Sequence, residues 1–567
     1  MKSYSVRQPI PEKIRKDLAE YSDFLAHMLF HRGITNSSQA KEFFTHSYEK
    51  LHDPFLLKDM QKAVDRILLA IEKEEAIAIY SDYDADGIPA AVILSDFLDK
   101  IDYKNYFVYI PHRNKEGFGL NIPAIDIISE RSATLIITLD CGITDVEQVK
   151  HANSLGIDVI ITDHHEVGEV VPDAFAIINP KQGDCSYPEK MLCGSGVAFK
   201  LVQAILLTKD FSLPKGWEKT LLDMVGIATL SDMVPLVGEN RTLAKFGLMV
   251  LRISKRQGIY KLLKKSHIDQ RKLSEDDIGF TIAPRINAAS RMDAPEFAFK
   301  MLKSRDSSEA DGLVDYLHKI NDERKGHVAV MVKEARKRLK EIGDRKVGII
   351  AMGDVKWKPS LLGLAANALC EEFNKPVFLW GRGEGSDLKG SCRSSGVSVV
   401  EMLTRMPVSV IETFGGHHQA GGFVVRKESV DFLYEELIKI YSTFSEKPSP
   451  ILFTDYALSL SHIGESLWKD IEKLSPFGQN NEKPLFFLSQ LEVVAVRQFG
   501  KKKEHLSLTL RDCVAYKEIE AIAFFKNLDA WGESIKELEK INLVAYLEKN
   551  NFANKSSLRL RIVNVSR

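Results

Sequence analysis

Residues 76–87, AIAIYSDYDADG, turn a short apolar run abruptly into Asp82, Asp84 and Asp86. Three carboxylates at alternate positions repel one another, and a fold keeps them together at low cost only where a cation neutralises them. Ala76 to Tyr80 has the make-up of a core strand, and Pro89 followed by AAVILSDFL that of a helix beginning at the proline. The aspartates then stand at the carboxyl end of a strand, the edge at which open α/β sheets bind ligands.

Further along, the pattern returns. TLIITLD ends at Asp140, and DVIITDHHE sets Asp163, His164 and His165 directly after another apolar run. FAIINP reads as a further short strand, and LLDMVGIATLSDMVPL as a strand-like run ending at Asp232. Four such runs from successive βα-type units predict one shared edge of a parallel sheet. Imidazole beside carboxylate suits Mn²⁺, Zn²⁺ or Fe²⁺ better than Ca²⁺. Between these runs, LCGSGVAFKLVQAIL has the form of a Gly-rich turn entering a helix, a resting place for phosphate. The loop in YFVYIPHRNKEGFGLN carries His112, Arg113 and Lys115 beside Gly117 and Gly119, and suits approach to a polyanion.

A chain of 567 residues exceeds what one core supports, which predicts about three domains. Its 77 basic and 78 acidic residues nearly cancel, so any basic groove is local. Six cysteines without CxxC spacing, and a start (MKSYSVRQPIPEKIRK) lacking an apolar run, read as a cytoplasmic chain with reduced thiols. No membrane span is expected. Residues 1–70 read as a helical cap on the first domain.

The order DYDADG, LDCG, TDHHE, SDMVPL resembles the DHH phosphoesterase superfamily, whose triplet is Asp163-His164-His165 here, and within it the branch of single-strand-specific DNA exonucleases. The resemblance covers nearly the whole chain. It implies two divalent cations, Mn²⁺ or Mg²⁺, held by Asp84, Asp86, Asp140, His164 and Asp232 with Asp82 close by, and His165 facing the substrate phosphate. It departs at Tyr80, where some members carry a histidine ligand four positions before Asp84, and a tyrosine there implies a looser hold on the outer metal.

Arg285, Asn287 and Arg291 lie in a stretch, IGFTIAPRINAASRMD, expected to be short and irregular before a helix. Guanidinium and amide groups there suit phosphate oxygens, and the segment resembles the family's PRxNAAxR. Residues 306–342 read as one connector helix, opened by Asp306 with Glu309 three positions on. Beyond it, 343–445 predicts a smaller α/β domain, which resembles the DHHA1-type domain paired with the DHH domain in the family. GSCRSS (Ser391, Arg393) and FGGHHQAGGF (Gly415, Gly416, His417, His418, Gly421, Gly422) are its chemical segments, and the family's GGH matches Gly415-Gly416-His417. Residues 450–567 read as a small β-barrel of OB type. Arg497, Phe499, Lys501, Lys502, Lys503 and His505 combine cations with a stacking ring, as single-strand binders do.

The fold class expected is therefore α/β: a parallel-sheet DHH domain (71–305), a connector helix, a DHHA1-type domain and an OB-type barrel. The function the resemblance implies is hydrolysis of single-stranded DNA, from the 5′ end, to mononucleotides, in repair and recombination. A helicase and a single-strand-binding protein are the expected partners, and the chain is expected to be a monomer. A DHH-family oligoribonuclease or cyclic-dinucleotide phosphodiesterase is the alternative within the superfamily, though a small substrate needs neither the connector nor the tail. A non-catalytic replication scaffold is the alternative of another class, and the full set of carboxylates with His164 argues against it.

Overall fold

The computed structural model describes residues 4–342, 348–383, 388–444, 452–500, 503–512, 516–526, 528, 531, 534–550 and 557–567. They fall into two units: 52–234 with 246–447, and 1–51 with 235–245 and 448–567. The first strand, β1 (Tyr4–Val6), belongs to the latter.

In the larger unit, β2 (Ala76–Ser81), β3 (Tyr106–Tyr109), β4 (Ala133–Leu139), β5 (Asp158–Thr162) and β6 (Ala176–Ile178) form an all-parallel sheet in the order β3-β2-β4-β5-β6. The central strands are almost wholly apolar because helices cover both faces. Helices Ile122–Glu130 and Val146–Ser154 pack on the face carrying Ala78, Tyr80, Ile136 and Ile161, and helices Gly87–Lys100 and Gly194–Thr208 pack on the other. The first of these begins at Gly87, two residues ahead of the expected Pro89. Hydrogen bonding runs one residue beyond each strand: the amides of Asp82, Asp140 and Asp163 donate to Leu139, Thr162 and Ile178 at 3.0, 2.9 and 3.1 Å. That staggered ladder sets three aspartates side by side on the carboxyl edge.

Two expectations fail locally. Leu222–Ser231 is a helix, with Asp232 at its C-cap, and no strand. It is buried all round, which erases the polar stripe by which an amphipathic helix is told from a buried strand. Arg285, Asn287 and Arg291 lie in a regular helix, Ala283–Met292, entered through a π-helical turn at Ile278–Ile282, so that stretch is not irregular. Pro284 fits because the first turn of a helix needs no amide from it.

The connector is a single helix, Ser307–Ile342, of 36 residues and about 54 Å. Asp306 Oδ1 caps it by accepting the Glu309 amide at 2.7 Å. Its later turns bring Met331, Val332, Ala335 and Leu339 into the core of the next domain, against Leu361, Leu362 and Leu369. There β7 (Ile350–Gly353), β8 (Val377–Arg382), β9 (Leu388–Arg393), β10 (Ile411–Gly416) and β11 (Ala420–Val425) make a mixed sheet in the order β10-β11-β9-β8-β7.

In the smaller unit, β12 (Leu452–Thr454) pairs in parallel with β1, and β13 (Tyr456–Ala457) with the first barrel strand. Strands β14 (Leu485–Phe499), β15 (His505–Asp512), β16 (Glu518–Ala523), β17 (Lys540–Asn550) and β18 (Ser557–Ser566) close a five-stranded barrel, since β14 pairs with both β15 and β17. Helix Asp23–Phe30 delivers Phe24, Leu25 and Met28 to the barrel's core cluster, with the Phe24 ring stacked 5.7 Å from Phe486. The helices up to residue 51 group with the barrel, whereas Met60–Glu72, the rest of the expected cap, packs on the first domain against Ala176–Ile178 and Gly194–Thr208. An amphipathic face announces that it will be buried, without naming the surface that buries it. Among the described residues no helix is long and apolar enough to cross a membrane, and five cysteines are free and buried.

Candidate metal centre

Three overlapping sets of side chains converge on the carboxyl edge of the parallel sheet: Asp82, Asp84 and Asp140; Asp86, His164 and Asp232; and Asp140, His164 and His165. Within each set the ligand atoms lie within 4.8 Å of one another. His164 Nε2 is 3.1 Å from Asp140 Oδ1, 3.7 Å from Asp86 Oδ2 and 3.8 Å from Asp232 Oδ2. Asp140 and His164 each belong to two sets, the arrangement expected of ligands shared or adjacent between two cations.

How the chain holds these acids together is local and specific. Asp84 Oδ1 accepts the amides of Asp86 (2.8 Å) and Gly87 (3.2 Å), folding the loop into the start of its helix. Asp86 is gripped by the N-terminus of helix Gly194–Thr208, whose Gly194 and Ser195 amides donate to its two oxygens at 2.6 and 2.7 Å while Ser195 Oγ donates to its carbonyl. The GSG turn is therefore occupied by a carboxylate of the chain itself, and is not the phosphate rest expected. Asn287 Oδ1 accepts the Ala85 amide at 3.0 Å, and Ser231 Oγ donates to the Ala85 carbonyl at 2.9 Å. Asp140 takes a left-handed backbone, φ 63°, which an aspartate tolerates better than most residues.

Electrostatics show what the cluster lacks. Burial pushes Asp82, Asp140 and Asp86 above the ordinary carboxylate range, and neighbouring aspartates push in the same direction; Asp232, for the same reasons, is pushed up to about 8. Burial pulls His164 down, against the pull of Asp86. The buried oxygens Asp82 Oδ1 and Asp140 Oδ1 have no hydrogen-bond partner, and the 3.1 Å approach of His164 to Asp140 lacks hydrogen-bond geometry. Two orphaned carboxylate oxygens, with further carboxylates and an imidazole within reach, fit divalent cations such as Mn²⁺ or Mg²⁺.

Asp163 stands apart from this set. Its oxygens are filled by the Ile143, His164 and His165 amides and by His165 Nδ1 at 2.7 Å. Burial alone would lower His165, yet that hydrogen bond and the charge of Asp163 hold it up at about 9. Tyr80 is no substitute ligand: its ring lies in the core on Tyr109, and its hydroxyl donates to the Gly119 carbonyl at 2.8 Å.

Of the expected phosphate contacts, Arg113 lies over the Tyr83 ring at 4.8 Å. Arg291 donates to the Ser360 carbonyl at 2.7 Å, and burial, then the charges of Arg113 and Arg324, lower it to about 9. Arg285 Nη1 donates to Thr281 O and Nη2 meets His318 on the connector, while its Nε is buried without a hydrogen-bond partner. In the smaller α/β domain Arg393 donates to Ser391 Oγ (3.2 Å), and burial lowers its pKa. Gly415 and Gly416 pair across the hairpin with Gly422 and Gly421, and exposed His417 sits at its tip. Gly416 is required there, at φ 141°, with a Cβ position only 2.4 Å from Ala420 O. The Lys181 hydrogen bond first, and then the charges of Lys181, His417 and His164, hold Glu166 below its usual range.

Sequence reading missed Tyr83, Lys181, Arg324 and the Gly194 and Ser195 amides; only the GSG turn carried a signal, and it pointed to another ligand. On the barrel, Arg497, Phe499, Phe524 and Arg559 line a cavity of about 370 Å³, with His505 packed on Phe499 and Phe525 80% exposed beside it. Phe524, Phe525 and Arg559 were also unforeseen. Lys501 and Lys502 lie outside the described residues.

One titration arises directly. Asp145, which accepts the Leu120 amide at 2.7 Å, is raised to about 6 by burial and by Asp163. A folded-state pKa above the unfolded one gives stability that is full below about pH 4 and lost as pH rises through about 6. Asp145→Asn is therefore expected to be the more stable protein at pH 8, by of the order of 2–3 kcal/mol, with the advantage gone near pH 4. Apparent melting temperatures across that range check it; a pH-independent difference would refute it.

Comparison with known proteins shows the same order of parts. The DHH family N-terminal domain model matches residues 76–229, the DHHA1 domain 344–443 and the RecJ OB domain 454–564. The chain is 35% identical over 566 residues to the single-stranded-DNA-specific exonuclease RecJ of Bacillus subtilis, covering 99% of this chain and 70% of that one. It is 30% identical over 530 residues to the Escherichia coli protein of the same description, covering 90% of each. RecJ of Thermus thermophilus in complex with Mn²⁺ superposes with a TM-score of 0.81 at 26% identity, over 100% of this chain and 79% of that one.

Proposed function

The chain belongs to the RecJ family of single-stranded-DNA-specific exonucleases, and from that premise we propose how its residues divide the work and from which end it cuts. It is a metal-dependent exonuclease of single-stranded DNA. The observation supporting the reading is the carboxylate-rich edge, where ligand atoms of Asp82, Asp84, Asp86, Asp140, His164 and Asp232 converge and Asp82 Oδ1 and Asp140 Oδ1 are buried without a hydrogen-bond partner. These six would hold two divalent cations. When bound, the cations supply a water of lowered pKa and neutralise charge on the scissile phosphate.

The remaining roles fall to side chains. His165, with Nδ1–H committed to Asp163, keeps Nε2 to donate to a phosphate oxygen. Asn287 is a positioning residue that fixes the acidic loop through Ala85. Arg113 and Arg291 neutralise phosphates beside Asp84 and Tyr83. Ser391, Arg393, Gly415, Gly416 and His417 hold the neighbouring phosphates by hydroxyl, guanidinium, backbone and imidazole donors. Arg285 is assigned no direct contact with the scissile phosphate, because Nη1 donates to Thr281 O and Nη2 meets His318.

Cutting proceeds from the 5′ end and releases mononucleotides, in the cytoplasm, during repair and recombination; the chain works as a monomer, supplied by a helicase and a single-strand-binding protein. Single strands of DNA and RNA labelled at either end, digested with Mn²⁺ or Mg²⁺, test this. Early release of the 5′ label from DNA is expected, and early release of the 3′ label would overturn the polarity.

The barrel serves as a holding platform. Arg497→Ala is expected to lower the salt dependence of binding to a long single strand by about 0.7 in the log-log slope, the value for one phosphate no longer neutralised. Phe525→Ala is expected to cost about 1–3 kcal/mol with the slope unchanged, as base stacking requires. Affinities across a salt series separate the two, and no change in either variant would leave the barrel a structural domain.

A further inference from the structure

The loop between β3 and helix Ile122–Glu130 is pinned at both ends. At its start, Glu116 accepts from Tyr109 OH (2.5 Å) and from the His112 amide (2.6 Å). At its end, Tyr80 OH donates to Gly119 O, Asn121 Nδ2 donates to Tyr80 OH at 3.1 Å, and Asp145 accepts the Leu120 amide. Gly117 and Gly119 both take left-handed backbone, φ 86° and 81°, and the Cβ position of Gly119 lies 2.6 Å from Asp145 Oδ2.

Between these two glycines stands Phe118. The residue is 51% exposed, and its ring centroid is 5.3 Å from that of His165 at an interplanar angle of 71°. Here a rigid loop presents a phenyl ring to solvent at the rim of a site made otherwise of charges. Leaving that apolar area in water is unfavourable, and neither the metal ligands nor the phosphate donors need it. A flat ring fixed one residue's width from the imidazole of the DHH triplet matches one part of a nucleic acid, the face of a base, which any of the four bases offers.

We propose that Phe118 forms a nucleobase subsite of the reaction centre, stacking on a base that flanks the scissile phosphate. Tyr80, Asn121 and Asp145 are positioning residues for it, and the polar core position at Tyr80 finds its use here and not at the metal. The subsite makes cleavage indifferent to base identity yet dependent on the presence of a base. It also sets the sugar-phosphate next to His165 before the bond is cut.

The inference rests on the exonuclease reading above, and a wild-type protein that fails to cleave single-stranded DNA with Mn²⁺ would sink that reading first. Given activity, first-cleavage rates are compared for an ordinary single strand and for one made abasic at both nucleotides flanking the first scissile bond. Phe118→Ala is expected to lower kcat/KM on the ordinary strand by about 5- to 100-fold, mainly through KM, as loss of one stacked base implies. Phe118→Trp is expected to recover most of the loss seen in Phe118→Ala on the ordinary strand, because its ring also stacks on a base. On the abasic strand, wild type and Phe118→Ala are expected to be equally slow. An equal fold-loss on both strands would mean that the ring acts only through His165, and no loss on either would mean that it touches nothing; both overturn the proposal.

Discussion

An Asp140→Ala protein is expected to lose hydrolysis by at least about 10³-fold at saturating Mn²⁺, beyond the roughly 10–100-fold of a change to an outer-shell group. Asp140 stands in two of the three ligand sets, and its Oδ1 is a buried oxygen with no partner in the protein. Without metal, the same carboxylate is pushed far above its usual range by burial and by Asp86, Asp84, Asp82 and Asp232. Removing it therefore relieves repulsion, and the metal-free variant is expected to melt no lower than the wild type. The rise in melting temperature that Mn²⁺ gives the wild type, by binding only the folded state, is expected to shrink sharply in the variant. Calorimetry with and without Mn²⁺, beside single-turnover digestion, separates lost chemistry from lost folding. Near-normal turnover would refute the assignment of Asp140.

Gly194→Ala is expected to be nearly as damaging, although no functional group is removed. A Cβ at Gly194 would lie 2.6 Å from both the Cβ and Oδ1 of Asp140. The helix cannot retreat, because its first amides and Ser195 Oγ are bonded to Asp86. Either Asp140 turns away or Asp86 is released, and a displacement near 1 Å at a reaction centre costs on the order of 100-fold. Two residues on, a Cβ at Gly196 would meet Cys193 Sγ and Leu192 at 3.6 Å, ordinary contact distance. Gly196→Ala is therefore expected to stay within about threefold of wild type, since an added methyl in ordinary contact imposes little strain. Comparing kcat/KM for the pair tests the packing argument, and equal effects would refute it.

Much of this site is legible in the chain because its chemistry is costly to hold. Asp82, Asp84, Asp86 and Asp140 follow apolar runs with nothing basic adjacent, and three of the four become buried. Asp232 was found for a wrong reason: a helix buried on every side, Leu222–Ser231, has the same apolar text as a buried strand. The GSG turn was recognised as an anion site, but sequence gives no rule for telling an incoming phosphate from the chain's own Asp86. Arg285 shows the converse limit, since a guanidinium is equally good for phosphate and for Thr281 O, and only the fold decides which lies in reach. Phe524 and Phe525 end the string IEAIAFF just beyond β16, and nothing in that string marks the residue at which strand and burial stop.

The pairing of β1 with β12 has a consequence in time. Tyr4 meets Leu452, and Phe24, Leu25 and Met28 complete a core whose other members start at Leu458. Made from the N-terminus at about 5–20 residues per second, the chain exposes those apolar side chains for roughly 20–90 s before their partners leave the ribosome. The parallel sheet and the mixed sheet, each contiguous in sequence, can fold meanwhile. The opening helices wait, and during synthesis they are a natural surface for a holding chaperone. A chain halted before residue 452 would hold every residue of the acidic edge, 82–232, yet none of the partners that bury Phe24, Leu25 and Met28.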